Sequence, residues 1–260
     1  MTRLQTQWHR LYLPDAGTPP APGGEPVHGT PLIGPQGQVR AMVLELARPA
    51  DWDAVALVWR GVQAELDLPA PAIAVSGTDG FQLWFSTAEA VPVAQAQAFL
   101  AALRHRFLPD VAAKRVSLWP AADPAAPGEA VHAPPVPAQQ RLSGDWSAFV
   151  APDLAAVFAD TPWLDLTPSD DGQADLLTPL RSITTSAWDE VWAKLHPELA
   201  QANVPHAAVP AVPTASPSVP RDPKAPGAAA EHFLLQVMND ESQPMALRIE
   251  AARALLPARR

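Results

Sequence analysis

Short apolar runs and amphipathic runs alternate along the first half of the chain. The apolar runs, rich in β-branched and aromatic residues, predict strands at residues 39–46, 72–75, 81–86 and 115–119. Two runs with apolar residues at three-and-four spacing predict helices, one capped by Asp51 and ending before Pro69, the other at residues 91–107. The order strand, helix, hairpin, helix, strand predicts an α+β domain resembling the split βαβ plan. In it, both helices pack on one face of a mixed or antiparallel sheet.

The segments around these elements predict loops and two further helices. Residues 11–31 and 120–137 are rich in proline and glycine and predict loops, so the fold proper is expected to begin near residue 39. Further helices are predicted at residues 146–158 and at the amphipathic run over residues 188–195. The stretch between these two helices is less regular and predicts no element.

Composition divides the chain into three parts. Residues 1–200 are predicted to form the α+β domain, with its core at about 39–166. Proline makes up 32 of 260 residues, about twice its usual share of ~5%, and its density at residues 201–228 predicts an extended linker. Residues 229–260 predict two short helices that are too small to fold well alone, so we expect residues 231–257 to dock on a protein partner or on the protein's own oligomer.

Net charge and missing residue types exclude several classes of function. The 27 acidic and 18 basic residues give a net charge of −9, so binding of nucleic acid would need a local basic patch. The absence of cysteine excludes disulfides, thiolate metal sites and cysteine nucleophiles, and it fits a reducing cytoplasm. No signal-peptide pattern and no run of the ~20 apolar residues that span a bilayer are present. We therefore expect a cytoplasmic protein without a membrane partner.

The second and third predicted strands are joined by Ser76-Gly77-Thr78-Asp79-Gly80, which we call the glycine turn. Such a sequence is typical of a hairpin in which Asp79 and Gly80 form the turn dipeptide. It is also a sequence whose backbone N–H groups can face a bound anion, because glycine lacks the Cβ that would block approach. The residues alone leave both interpretations open.

Three short motifs stand out along the predicted domain: VLELA at residues 43–47, SGTDGFQ at residues 76–82 and LDL at residues 164–166. Together they resemble motifs of the archaeo-eukaryotic primase and primase-polymerase superfamily. In that family the first motif carries acidic metal ligands, and a later acid completes a two-metal site for nucleotidyl transfer. The resemblance therefore implies catalytic and metal-binding roles for Glu45 and Asp165.

The second motif of that family, similar to SGxxGxH, binds the phosphates of the incoming nucleotide. The resemblance implies this nucleotide-binding role for Ser76, Gly77, Gly80 and Gln82. It also implies Mg²⁺ or Mn²⁺ as the metal of an active enzyme, and single-stranded or template DNA as a partner.

Three residues depart from the pattern of an active member of the family. Ala47 stands where the second metal ligand belongs and has no oxygen that could bind a cation. Gln82 replaces the histidine of the second motif, and Asp79 places a carboxylate, which repels a triphosphate, where some relatives have lysine. We therefore predict a degenerate active site, with Mg²⁺ or Mn²⁺ bound only if activity is retained. Asp51 and Asp53 are alternative ligands, although a helix cap and a first-turn charge also account for them.

The C-terminal residues 233–257 resemble a helical motif of phage packaging proteins of the terminase small-subunit type, which implies a phage or mobile-element setting.

Two functions are then predicted. One is a primase-polymerase-like protein with a role in DNA replication or nucleic-acid binding. The other is a non-enzymatic scaffold whose C-terminal helices recruit a partner. A basic groove over residues 76–82 would favour the first, and a neutral or acidic surface the second. The densest basic cluster, which predicts either phosphate contacts or a solvated helix end, is Arg104, His105, Arg106, Lys114 and Arg115.

Overall fold

The computed structural model describes residues 1–14, 32–122 and 130–195 of the 260-residue chain. The predicted linker at 201–228 and the predicted helical segment at 229–260 therefore lie outside the described residues. In the described part of the chain, no helix combines the length and the apolar character needed to cross a bilayer.

The described residues form helices α1 to α5 and strands β1 to β8. The helices are Arg3–Leu11 (α1), Trp52–Ala64 (α2), Val93–Phe107 (α3), Asp170–Leu177 (α4) and Thr185–Leu195 (α5). The strands are Gln38–Ala47 (β1), Ala72–Val75 (β2), Gly80–Pro92 (β3), Val116–Trp119 (β4), Ala121–Ala122 (β5), Ala130–Val131 (β6), Ala138–Gln139 (β7) and Trp146–Val150 (β8). The predicted order strand, helix, hairpin, helix, strand is confirmed by β1 to β4 with α2 and α3.

Six of the strands form one antiparallel sheet in the order β4-β1-β3-β2-β8-β7. The order of its first four strands is that of a split βαβ unit, in which β1 lies between β4 and β3. Strands β8 and β7 extend the sheet beyond β2, while β5 and β6 pair separately. The predicted α+β class is therefore confirmed, and the sheet is antiparallel.

Helices α2, α3 and α5 close the first face of the sheet. Alternate residues of β1, including Leu44 and Leu46, face this layer because successive side chains of a strand point to opposite sides. They share one buried cluster with Val58 of α2, Leu100 of α3 and Trp188 of α5. The prediction that the two helices of the strand, helix, hairpin, helix, strand order, α2 and α3, pack on one face is thus confirmed.

Helices α1 and α4 close the opposite face. Its centre is Trp84 of β3, which is 1% exposed and whose ring centroid lies 5.3 Å from that of Trp8 and 5.4 Å from that of Tyr12. The ring centroid of Phe149 of β8 lies 6.1 Å from that of Trp84, and Leu177 of α4 belongs to the same buried cluster. The domain therefore has three layers, with the sheet between two sets of helices.

Several predicted boundaries are wrong. The helix predicted at residues 146–158 is strand β8 followed by a 3₁₀ turn at Ala155–Phe158, because this short apolar run pairs with the edge of β2. The fold does not begin near residue 39, since α1 packs into the buried cluster around Trp84. Strands β5 and β6 pair within the loop predicted at residues 120–137, and α4 lies in the stretch for which no element was predicted.

Candidate functional site at Glu45 and the glycine turn

Glu45 lies on β1, inside the sheet and on the face that α1 and α4 close. In register it stands opposite Gln82 of β3 on one side and Ser117 of β4 on the other. Side chains alternate between the two faces along a strand. Glu45 and Gln82 therefore share the face of the neighbouring pair Val43 and Trp84, each of which lies two residues away on its own strand. The antiparallel pairing thus brings together two residues that the motifs singled out.

Hydrogen bonds connect Glu45 to the aromatic core through Gln82. Gln82 Nε2 donates to Glu45 Oε2 at 2.6 Å. Gln82 Oε1 in turn accepts from Trp84 Nε1 at 2.9 Å. The amide group of Gln82 is therefore bound at both ends, and it joins a carboxyl group to a buried indole.

The surroundings of Glu45 favour its protonated form. Burial raises the pKa of Glu45 above its ordinary value of 4.5, and the negative charge of Asp79 also raises it. The hydrogen bond from Gln82 and the positive charge of Arg48 act in the opposite direction, but burial is the largest effect. A metal ligand must be deprotonated, so this setting opposes metal binding by Glu45.

Substituting Glu45→Gln is expected to change how stability depends on pH. The folded protein binds the Glu45 proton more tightly than the unfolded chain. The carboxyl group therefore stabilises the fold below pH 4.5, and this contribution is lost as the pH rises through the raised pKa. Glutamine does not titrate and keeps an oxygen that accepts from Gln82. Urea unfolding between pH 4 and pH 8 should show the parent losing stability relative to the variant, by about 1.4 kcal/mol for each unit of pKa elevation.

The matched control is Glu190→Gln, which removes an exposed carboxylate of α5. It should leave the pH dependence of the parent unchanged over the same range. A difference between parent and Glu45→Gln that does not vary with pH would contradict the assignment.

The glycine turn is held by hydrogen bonds within the protein. Ser76 Oγ accepts from the N–H of Thr78 at 3.2 Å and from the N–H of Gly80 at 3.0 Å. The N–H of Gly77 donates to the carbonyl oxygen of Pro162 at 3.0 Å. Three amides that could face a phosphate are thus already bonded, and an anion that used them would have to displace these bonds.

Close packing accounts for both glycines of the turn. Gly77 has φ +80°, and a Cβ on it would lie 2.7 Å from the backbone nitrogen of Ser147. Gly80 is paired with Ala47 of β1, and a Cβ on it would lie 2.8 Å from the Ala47 Cβ. Either close approach requires glycine whether or not an anion binds. The same contact favours a small residue at position 47, the position at which the resembled primase-polymerase motif has an acid.

The donor set does not fit a two-metal centre, which needs several carboxylates around two cations. Ala47 offers no ligand beside Glu45. Asp165 is exposed and follows Leu164, which pairs with Trp146 of β8, three strands away from β1 in the sheet order. In residues 1–14, 32–122 and 130–195, no group of three or more histidine, cysteine, aspartate or glutamate residues could hold a metal ion.

Arg48 is a candidate site residue that the motifs did not indicate. It directly follows β1 and has φ +59°, a backbone conformation that residues other than glycine rarely adopt. Its N–H donates to the carbonyl oxygen of Asp79 at 3.3 Å, and its Nη2 donates to that of Lys114 at 2.6 Å. Arg115, next to Lys114, lies 3.5 Å from Asp51. We call Arg48, Lys114 and Arg115 the basic corner. Its sequence signal is a charged residue directly after a buried strand.

The predicted basic cluster is divided between two places. Arg106 pairs with Glu65 at 2.6 Å near the end of α3, as expected of a solvated helix end. Lys114 and Arg115 lie instead at the basic corner, close to the glycine turn. Asp51 accepts from the N–H of Ala54 at 3.0 Å, so its role as the N-cap of α2 is confirmed.

No protein-family model matches this chain, and no curated protein matches it. The resemblance to the primase and primase-polymerase superfamily therefore stays a prediction that rests on residues 43–47, 76–82 and 164–166.

Proposed function

We propose that this chain is a primase-polymerase-like protein of a phage or mobile element that binds nucleic acid in DNA replication without catalysing nucleotidyl transfer. The observation that carries the proposal is the hydrogen bond of 2.6 Å from Gln82 to Glu45. Nucleotidyl transfer by two metal ions needs ionised carboxylates that are free to coordinate. Here the first acid of the motif is partly buried, favours its proton and is bonded to a neighbouring strand. These features suit a structural role for Glu45.

Single-stranded or template DNA is the proposed partner, and the basic corner is its proposed contact. A chain with a net charge of −9 needs a local basic patch to attract phosphates. Arg48 and Lys114 are exposed. Hydrogen bonds hold Arg48 to the carbonyl oxygen of Asp79 in the glycine turn and to that of Lys114, which lies just before β4. The sheet surface itself is closed by α1 and α4, so bases cannot stack on Trp84 as they do on open sheets.

The test combines nucleotide incorporation with DNA binding on the full-length chain. Primed and unprimed templates with Mg²⁺ or Mn²⁺ are expected to give no incorporation. Fluorescence anisotropy with labelled single-stranded DNA is expected to show binding that weakens with salt. The double variant Arg48→Gln/Lys114→Gln should weaken it about tenfold and lower the salt slope by roughly 0.7 per lost phosphate contact.

The matched control is Arg60→Glu, a charge reversal at an exposed position of α2 that lowers the net charge by the same amount as the double variant. It should bind DNA as the parent does, and circular dichroism should show that all variants remain folded. Incorporation that Glu45→Ala abolishes would overturn the non-catalytic part of the proposal. Equal binding by the double variant and the control would overturn the assignment to the basic corner.

A second candidate function is a non-enzymatic protein scaffold. The observation that favours it is the mixed charge around the turn, where exposed Asp79 faces the same region as Arg48, and both charges act on Glu45. On this proposal residues 231–257, which lie outside the described residues, recruit a protein partner. Absence of both incorporation and DNA binding would sink the first proposal and leave this one.

A further inference from the structure

A cavity of about 230 Å³ lies between the second half of β3 and α5, and Glu45 is not among the residues that line it. Its walls come from the second half of β3, from Gln95 of α3 and from α5. The segment that leads into α5 is fixed to β3, because the N–H of Ile183 donates to the Ser86 carbonyl at 2.7 Å and the N–H of Ala88 donates to that of Ile183 at 2.8 Å. These bonds hold the opposing walls in place.

Two tryptophans of α5 give the cavity an aromatic wall. The ring centroids of Trp188 and Trp192 lie 6.0 Å apart with an interplanar angle of 27°. Trp188 is 7% exposed and packs 5.1 Å from Phe99 of α3, which anchors it in the core. Trp192 is only partly buried. The wall therefore combines a fixed ring with one that is accessible at the cavity.

The charged residues that line the cavity are both acidic. Glu89 comes from β3 and Asp189 from α5, so the two carboxylates are contributed by opposite walls, and both are exposed. Among the described residues that line it, none is lysine, arginine or histidine. Indole faces attract cations through their quadrupole, and carboxylates do so through their charge. The lining thus selects for a cation with some apolar or planar surface.

We propose that this cavity binds the guanidinium group of an arginine side chain carried by a partner polypeptide. Guanidinium is planar, weakly hydrated and suited both to stacking on an aromatic ring and to bonding with carboxylates. A volume of about 230 Å³ is smaller than the ~300–1,000 Å³ typical of drug-sized ligands. It suits one side chain, and the exposure of Glu89 and Asp189 lets the rest of a polypeptide continue outside. The site is independent of Glu45 and of the proposed DNA contact.

The test is a titration of the full-length chain with a short peptide that contains one arginine. The indole N–H signal of Trp192, assigned by comparison with Trp192→Phe, is followed by NMR. The arginine peptide should shift this signal saturably. The same peptide with citrulline, which has nearly the shape of arginine without its charge, should bind at least tenfold more weakly. Equal binding of the two peptides would overturn the proposal, as would the absence of any saturable shift.

Two isosteric substitutions test the carboxylates. Glu89→Gln and Asp189→Asn should each weaken binding of the arginine peptide about threefold, and the double variant about tenfold. Both positions are exposed, so thermal unfolding should be unchanged. Glu190→Gln removes a neighbouring exposed carboxylate that does not line the cavity and should bind as the parent does. An equal loss in this control would show a general charge effect and sink the site. Free agmatine that binds as tightly as the peptide would overturn a polypeptide as the occupant.

Discussion

Trp84→Ala is expected to lower the free energy of unfolding by about 3–5 kcal/mol, the range for truncating a large buried aromatic residue. The indole is 1% exposed and lies in edge-to-face contact with Trp8 and Tyr12. Its Nε1–H also donates to Gln82, so the truncation removes ring contacts and the donor to a buried oxygen together. Urea unfolding followed by circular dichroism measures the loss.

The control Trp84→Phe separates these two contributions. Phenylalanine keeps most of the ring but leaves Gln82 Oε1 without its donor, which should cost about 1–3 kcal/mol. The difference between the two variants then reports the packing of the aromatic cluster. A loss below about 1 kcal/mol for Trp84→Ala would mean that this face of the sheet is not closed. An open face would restore the sheet surface as a platform on which bases could stack.

The order of strands β1 to β4 and helices α2 and α3 was predictable because each of these elements has a strong local signal. The apolar run of β1 and the three-and-four spacing in α2 are long enough to identify without knowledge of the partner strands. Asp51 marked the start of α2, and it does cap that helix. The glycine turn likewise joins β2 to β3 as a hairpin.

The second face of the sheet was not predictable to the same extent. Helix α1 has only three buried positions, Leu4, Trp8 and Leu11. Its local signal is the capping box formed by Thr2 and Gln5, together with that spacing. Helix α4 has an even weaker apolar pattern, and β8 is a short run that reads equally as helix or strand until β2 supplies a pairing edge. These elements depend on contacts between distant parts of the chain.

The same distinction applies to the candidate site. The motifs named Glu45 and Gln82 separately, and the antiparallel register brings them to a hydrogen bond. Register depends on the geometry of the turn and on which face is buried, so the sequence alone did not place the amide on the carboxyl group. Arg48 was missed because its relation to Asp79 arises from backbone contacts between two loops. The roles of Ser76, Gly77, Gly80 and Asp165 in nucleotide chemistry stay predictions.

Gly77→Ala is expected to lower the free energy of unfolding by roughly 2–5 kcal/mol. The native φ of +80° disfavours any residue with a Cβ, and this Cβ would also meet the backbone nitrogen of Ser147 at 2.7 Å. Backbone atoms of a paired strand cannot rotate away as a side chain can, so β8 would have to shift from β2. Denaturant unfolding of the parent and the variant at neutral pH measures the effect.

Gly144→Ala provides the matched control, because Gly144 has a nearly identical φ of +84° but the new Cβ would lie at an ordinary contact distance of 3.8 Å from Gln139 Nε2. This variant should lose only the backbone contribution of roughly 1–2 kcal/mol. The difference between the two variants therefore isolates the close approach to Ser147. Equal losses would contradict the packing explanation of Gly77 and make an anion-binding role for the glycine turn the better account of its sequence. A larger loss for Gly77→Ala would instead identify the turn as the point at which β8 is fixed to the rest of the sheet.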